Sequence, residues 1–372
     1  MASRASERSR AAAEIWREPV RGGYPHPGVA SLSGRERLRR FRNLGSPAPP
    51  LTHLTGARPT RFGEETAEAE MPATGWLLNS AGLIGGGTLA VLADIAFGCA
   101  FETMIGPGVR YTTAELSLTF LRPAVADGLL TAHGQTIHGG RTIGLAEAFV
   151  LDGSGERMVA HGTSRLSVLA PIEPLPELPD EPARVERAEF ATPDPYLRPA
   201  PDLAIPQEVW NELPGAEILA RQLAGELPPP PIHYLTGLRL IAAGERSAAM
   251  SMPATEWLNS PAGLLQGGAI AMLADGAMQA AVVATAPAAT AIAGLDLKVN
   301  FLRPALADGR DLVASAEVIH SGRTLAVTRA EVTNPDGKAV ALVTGSSMYL
   351  PGRRARLGDV ELGDAPGDGA PQ

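Results

Sequence analysis

The sequence predicts an α+β protein built from two copies of one small domain, each an apolar helix wrapped by a curled antiparallel sheet. The first observation behind this is a repeat. MPATGW at 71–76 returns as MPATEW at 252–257, LAD at 92–94 returns at 273–275, and FLRPAVADG at 120–128 returns as FLRPALADG at 301–309, all at one offset. The second is an apolar segment of helical length in each copy, opened by glycines and interrupted by a single aspartate, Asp94 or Asp275. The third is a series of short strand-like segments behind that helix, separated by turn signals.

In chain order, each copy opens on an HxTG-type segment, HLTG at 53–56 and HYLTG at 233–237, whose surroundings read as a strand. A polar turn and MPAT follow, then the glycine-rich loop and the helix. In copy two the next strands fall at 291–303, 310–320, 324–333 and 338–350, broken at FLRPALADG, at IHSGRT and at NPDGK. An antiparallel sheet with one apolar face must cover something, and the apolar helix is what it covers. The repeat places domain one at 50–170 and domain two at 231–351. Residues 1–49 read as a partly disordered N-terminal extension, and 171–230 as a proline-rich linker with a short helix within 207–227. Residues 352–372, rich in Gly, Asp and Pro, read as a disordered tail.

Composition narrows the function classes. Of 372 residues, 45% are hydrophobic and 19% charged, enough for sizeable cores. A net charge of −8 argues against nucleic acid as a partner. The apolar stretches at 83–101 and 263–295 resemble membrane spans, but the glycine pairs and the mid-span Asp94 and Asp275 argue against insertion. The lone Cys99 excludes an intramolecular disulfide and fits a reducing cytoplasm. The seven histidines show no metal-ligand spacing, and neither a phosphate-binding loop nor a GxSxG elbow is present.

The chemistry sits at the glycines and the aspartates. Glycines at a helix start let a ligand reach the backbone, where free N–H groups favour a negative charge. A carboxylate on an apolar helix is costly to bury without a partner or a task. Tasks open to it are attack on a carbonyl or activation of water. Gly86 precedes Asp94, and Gly267 precedes Asp275, by eight residues, a separation of about 12 Å along one helix. Two groups that far apart can hardly flank one carbonyl.

NSAGLIGGGTLAVLADIAFGCA at 79–100 and NSPAGLLQGGAIAMLADGAMQAA at 259–281 resemble the hotdog-fold acyl-CoA thioesterases of the PaaI type, within the 4-hydroxybenzoyl-CoA thioesterase-like superfamily. FLRPA with its following Asp-Gly turn matches the same pattern. The resemblance implies a tandem double hotdog folding as an intramolecular pseudo-dimer, and pairs of such chains as a homodimer. It also implies acyl-CoA as substrate, no cofactor, and sites shared across the interface. One site would then use Gly86 with Asp275, and the other Gly267 with Asp94.

The sequence departs from the family at the histidine before the glycines, which is Gly85 in copy one and Gln266 in copy two. The family's strand Ser/Thr matches Thr113, but Gly294 stands at the second position. Asn79 and Asn259 match its asparagine. Asn259, Gln266 and Gly267 with Asp94 and Thr113 therefore read as the better furnished site, expected to carry most of the activity. Arg141 and Arg323, at HxGR turns, are candidates for a CoA phosphate. Two other functions compete. An enoyl-thioester hydratase of the MaoC type needs a helical His after the Asp, which is missing here. A non-catalytic acyl-CoA-binding module would account for the absent histidine.

Overall fold

The computed structural model describes residues 13–43, 45–153, 155, 157–179 and 190–356. The predicted tail lies outside them from residue 357. Each copy runs two strands, the long helix, then four strands. In copy one these are β1 (Arg58–Phe62), β2 (Thr66–Pro72), the core helix α3 (Gly86–Glu102), β3 (Arg110–Phe120), β4 (Leu129–Gly139), β5 (Ile143–Leu151) and β6 (Met158–Leu169). Copy two repeats the series as β7 (Arg239–Ala243), β8 (Ser247–Pro253), α7 (Gly267–Thr285), β9 (Thr290–Phe301), β10 (Asp311–Ser321), β11 (Leu325–Thr333) and β12 (Ala339–Pro351). The twelve strands form one sheet in the order β1-β2-β4-β5-β6-β3-β9-β12-β11-β10-β8-β7. This is the tandem hotdog architecture that the sequence predicts.

The order reads the same from either end, because β3 and β9 pair antiparallel at the centre. Ser117 lies opposite Lys298, and Leu118 opposite Leu297. Ser117 and Lys298 are equivalent positions of the two copies, so the pseudo-twofold axis passes between them. Strand alternation puts Leu116, Leu118, Leu297 and Val299 on the buried face against the two helices. The helices are apolar nearly all round because the curled sheet encloses them. α7 is long and apolar enough to cross a membrane, yet it is mostly buried within the fold.

α3 and α7 touch through their N-terminal glycines. A Cβ on Gly87 would come within 2.5 Å of Met272 Cα, and one on Gly268 within 2.4 Å of Val91 Cα. Only glycine admits that approach.

Two local expectations change. The HxTG segments end short helices, α2 (Pro50–Thr55) and α6 (Pro231–Thr236), rather than lying in strands. Proline stands at the first turn of each, and Gly56 and Gly237 close them in the left-handed conformation, with φ of 77° and 80°. The linker helix is two helices, α4 (Gln207–Glu212) and α5 (Gly215–Leu223). Pro214 forces Leu213 into an extended conformation and so splits them.

The segments ahead of each copy also correspond. α1 (Gly34–Arg42) in the N-terminal arm is matched by α5 in the linker arm. Gly34 N–H donates to Ile105 O, and Gly215 N–H to Ala286 O, at the ends of α3 and α7. Upstream, each arm lies on the opposite copy. Trp257 Nε1 donates to Glu18 O, and Trp76 Nε1 to Arg198 O. Each arm thus starts on one copy and finishes on the other.

Candidate active site

Each helix tip meets the aspartate of the other helix. Gly87 N–H donates to Asp275 Oδ2 at 2.8 Å, and Gly268 N–H donates to Asp94 Oδ2 at 3.1 Å. The structure therefore brings Gly86 to Asp275 and Gly267 to Asp94. Both carboxyls are nearly inaccessible to solvent, and burial raises the pKa of each. Opposing that rise at Asp94 are the N–H groups of Gly268 and Gly267 and the Thr113 hydroxyl. At Asp275 they are Gly87 N–H and Gln279.

Beyond this pairing the two ends differ. At the Asp275 end the helix-start amide of Gly86 has no hydrogen-bond partner among the described residues. Gly85, Gly86 and Asp275 all line a cavity of ≈ 1060 Å³. At the Asp94 end the Gly267 amide is directed to the carboxylate beside that of Gly268.

The chamber floor at the Asp275 end is one face of α7, namely Asp275, Gly276, Gln279, Ala280 and Val283. The equivalent face of α3 carries Asp94, Ile95, Gly98, Cys99 and Glu102. Three of those side chains are larger. Arg37 of α1 pairs with Glu102 at 2.5 Å, whereas the residues at the equivalent positions, Ile218 of α5 and Val283 of α7, both line the open chamber. Tyr111 fills further space, donating to Gly98 O at 2.8 Å and packing edge-on against Phe101 at 5.2 Å. Its counterpart Ile292 lines the open chamber. Cys99 is no nucleophile, because burial pushes its thiol well up.

The polar residues expected to furnish the Asp94 end are largely engaged there. Thr113 Oγ1 donates to Asp94 Oδ1 at 3.0 Å. Gln266 Nε2 donates to Val91 O at 2.8 Å, tying the tip loop to α3. Asn259 Nδ2 donates to the Tyr24 hydroxyl of the N-terminal arm at 2.7 Å. Asn79 Oδ1 accepts from Ala81 and Leu83 N–H, holding its own loop at the chamber wall. Arg141 and Arg323 sit exposed in hairpin turns and do not line the chamber.

One site residue escapes sequence reasoning. Gln279 Nε2 reaches Asp275 Oδ1 at 3.4 Å and takes the role that Thr113 plays for Asp94. A Cβ on Gly294, the position equivalent to Thr113, would lie 3.0 Å from that Nε2. Conversely, the position equivalent to Gln279 is Gly98, under Tyr111. The signal was a reciprocal exchange, Thr113 with Gly98 in one copy and Gly294 with Gln279 in the other. His233 of α6 also lines the chamber, and burial pushes its imidazole down to about 3, so it is neutral near pH 7.

Comparison with known proteins identifies the family of each copy. A family profile described as "Thioesterase superfamily" matches residues 81–159 and 262–341, one match per copy. Acyl-coenzyme A thioesterase PaaI of Escherichia coli is 34% identical over 116 residues, covering 31% of this chain and 80% of that protein. Human acyl-coenzyme A thioesterase 13 is 30% identical over 110 residues, covering 29% of this chain and 77% of its own length. Among solved structures, the tesB protein of Mycobacterium avium subspecies paratuberculosis superposes with a TM-score of 0.51 at 16% identity. It covers 81% of this chain and 98% of that one, so the likeness extends to the double architecture.

Proposed function

The chain belongs to the thioesterase superfamily and is a thioester hydrolase, and from that premise we propose that it cleaves acyl-CoA at the Asp275 end. The carrying observation is that Gly86, whose N–H has no partner among the described residues, and Asp275 both line the ≈ 1060 Å³ chamber. Gly86 N–H receives the thioester oxygen as negative charge develops on it, a contact worth about 3 kcal/mol of barrier. Asp275, with its pKa raised by burial, takes a proton from water. The water oxygen bonds to the carbonyl carbon, the C–S bond breaks, and the proton passes to the departing CoA sulfur. Gln279 and Gly87 N–H hold the carboxylate in place through the cycle.

The Asp94 end serves as scaffold on this reading. Its tip amides hold Asp94, and Arg37, Glu102 and Tyr111 fill its chamber. The test is thiol release over a panel of acyl-CoAs. Asp275→Asn should lower kcat at least about 100-fold, whereas Asp94→Asn should leave it within a few-fold. The reverse ranking would return the activity to the Asp94 end. Acyl-CoA binding without any release of thiol would favour a binding module.

A further inference from the structure

The chamber has a direction. From Asp275 it follows α7 through Gln279 to Val283, about 12 Å along the helix axis. α5 roofs it, from Gly215 at the C-terminal end of α7 to Gln222, whose Nε2 reaches Ser80 Oγ at 3.1 Å beside the tip loop. Apart from Asp275, Arg353 and Arg354, the chamber's charged side chains are of both signs, Glu14 of the N-terminal arm and Glu226 after α5 with Arg122 and Arg239. Arg239 pairs with Asp311, and Arg122 donates to Met158 O. Past Val283 the wall passes to the segment after β12, where Arg353 and Arg354 line the cavity.

That segment is held on both sides. Gly352 N–H donates to Ala289 O at 2.8 Å, and Arg356 N–H donates to Gln207 Oε1 at 2.9 Å. Arg356 also faces Asp202 at 3.7 Å. Arg353 and Arg354 have no ion pair among the described residues. The pseudo-symmetric segment follows β6 and lacks the two arginines. There Ile172 N–H donates to Gly108 O at 3.0 Å, the counterpart of the Gly352 bond, and the next residues are Glu173 and Pro174. By strand register, arginines at 353 and 354 stand where the equivalent positions carry Ile172 and Glu173.

We propose that Arg353 and Arg354 form an anion subsite for the phosphates at the nucleotide end of the CoA carrier, so that the enzyme selects its thioester by carrier charge. This rests on the Asp275 end being the working site. The slot between Asp275 and the arginines takes the flexible arm joining thiol to nucleotide. Two guanidiniums with free forks suit phosphate oxygens. The phosphate role expected of Arg141 and Arg323 thereby passes to a pair that shares a cavity with the catalytic carboxylate.

The test uses the full chain and two readouts. Calorimetric binding of adenosine 3′,5′-bisphosphate should be clear for the wild type, lost in R353A/R354A and largely kept in R353K/R354K. With octanoyl-CoA the alanine double variant should raise KM about tenfold with little change in kcat. Its preference for octanoyl-CoA over the phosphate-free octanoyl-N-acetylcysteamine thioester should shrink by the same factor. Equal bisphosphate binding by wild type and alanine variant, or an unchanged preference, overturns the proposal. Asp275→Asn retaining full turnover would sink the site assignment separately, since the bisphosphate experiment needs no hydrolysis.

Discussion

At the scale of single residues, Asp275 sets function against stability. Burial raises its pKa above the ordinary value of an unfolded aspartate, so folding favours the protonated form. This group's contribution to stability is fully present below that unfolded value and is lost as pH rises through the raised folded value. Asp275→Asn keeps an acceptor for Gly87 N–H and removes the buried charge. It should therefore raise Tm at pH 7 while abolishing most turnover, and a calorimetric scan beside a thiol assay checks both. In the wild type, kcat/KM should fall as pH drops through a value above the ordinary carboxylate range. The cross-copy pairing of glycine and aspartate was legible at this scale in two steps: eight residues on one helix is too far to flank one carbonyl, and the family resemblance implied a site shared between the copies. Gln279 was not legible, since its meaning depends on Gly294 lying opposite it, a contact between strand and helix that spacing alone does not reveal. Nor was the relative openness of the two ends. Thr113 and Gln266 looked like better furnishing, but volume is decided by Ile95, Glu102 and Tyr111 on elements that only folding brings together.

At the scale of elements, the arm helices decide which end is open. α1 and α5 occupy equivalent places, yet α1 presents Arg37 to Glu102 where the equivalent Ile218 and Val283 both line the chamber. Breaking one half of a largely buried ion pair strands the other charge. Glu102→Val alone should destabilise the fold by roughly 3 kcal/mol. Arg37→Ile with Glu102→Val should cost clearly less, because it copies a pairing the molecule already contains. Urea unfolding of the two singles and the double decides it, and additive losses would refute the reading. The core helices and the four strands after each were legible as elements because period and turn chemistry are local. One strand was read ahead of each helix where the fold has two, however, and the pairing of β3 with β6 was not readable. The HxTG helices and the break at Pro214 were misread. Six-residue helices carry too little periodicity to register, and their stops depend on φ at Gly56 and Gly237.

At the scale of the whole molecule, the two copies meet at a strand seam and a helix contact, besides the crossed arms, and both the seam and the helix contact are tight. A Cβ on Gly268 would sit 2.4 Å from Val91 Cα and 2.7 Å from Ala90 O, both backbone atoms of the opposite helix. Gly268→Ala should force the helices apart at a cost of at least about 2 kcal/mol, lowering Tm by several degrees, with Gly87→Ala behaving alike. A thermal scan showing no loss for either would mean that the helix pair yields more readily than its spacing indicates.

The axis between Ser117 and Lys298 has a consequence for how such a molecule diverges. In an assembly of two identical chains, any substitution that plugs one cleft plugs both. Here a single polypeptide carries both halves, so Arg37, Glu102 and Tyr111 could accumulate on one side while Ile218, Val283 and Ile292 were kept on the other. Covalent fusion lets two clefts related by a twofold axis differ, and on the proposed assignment one does the chemistry while the other is ballast.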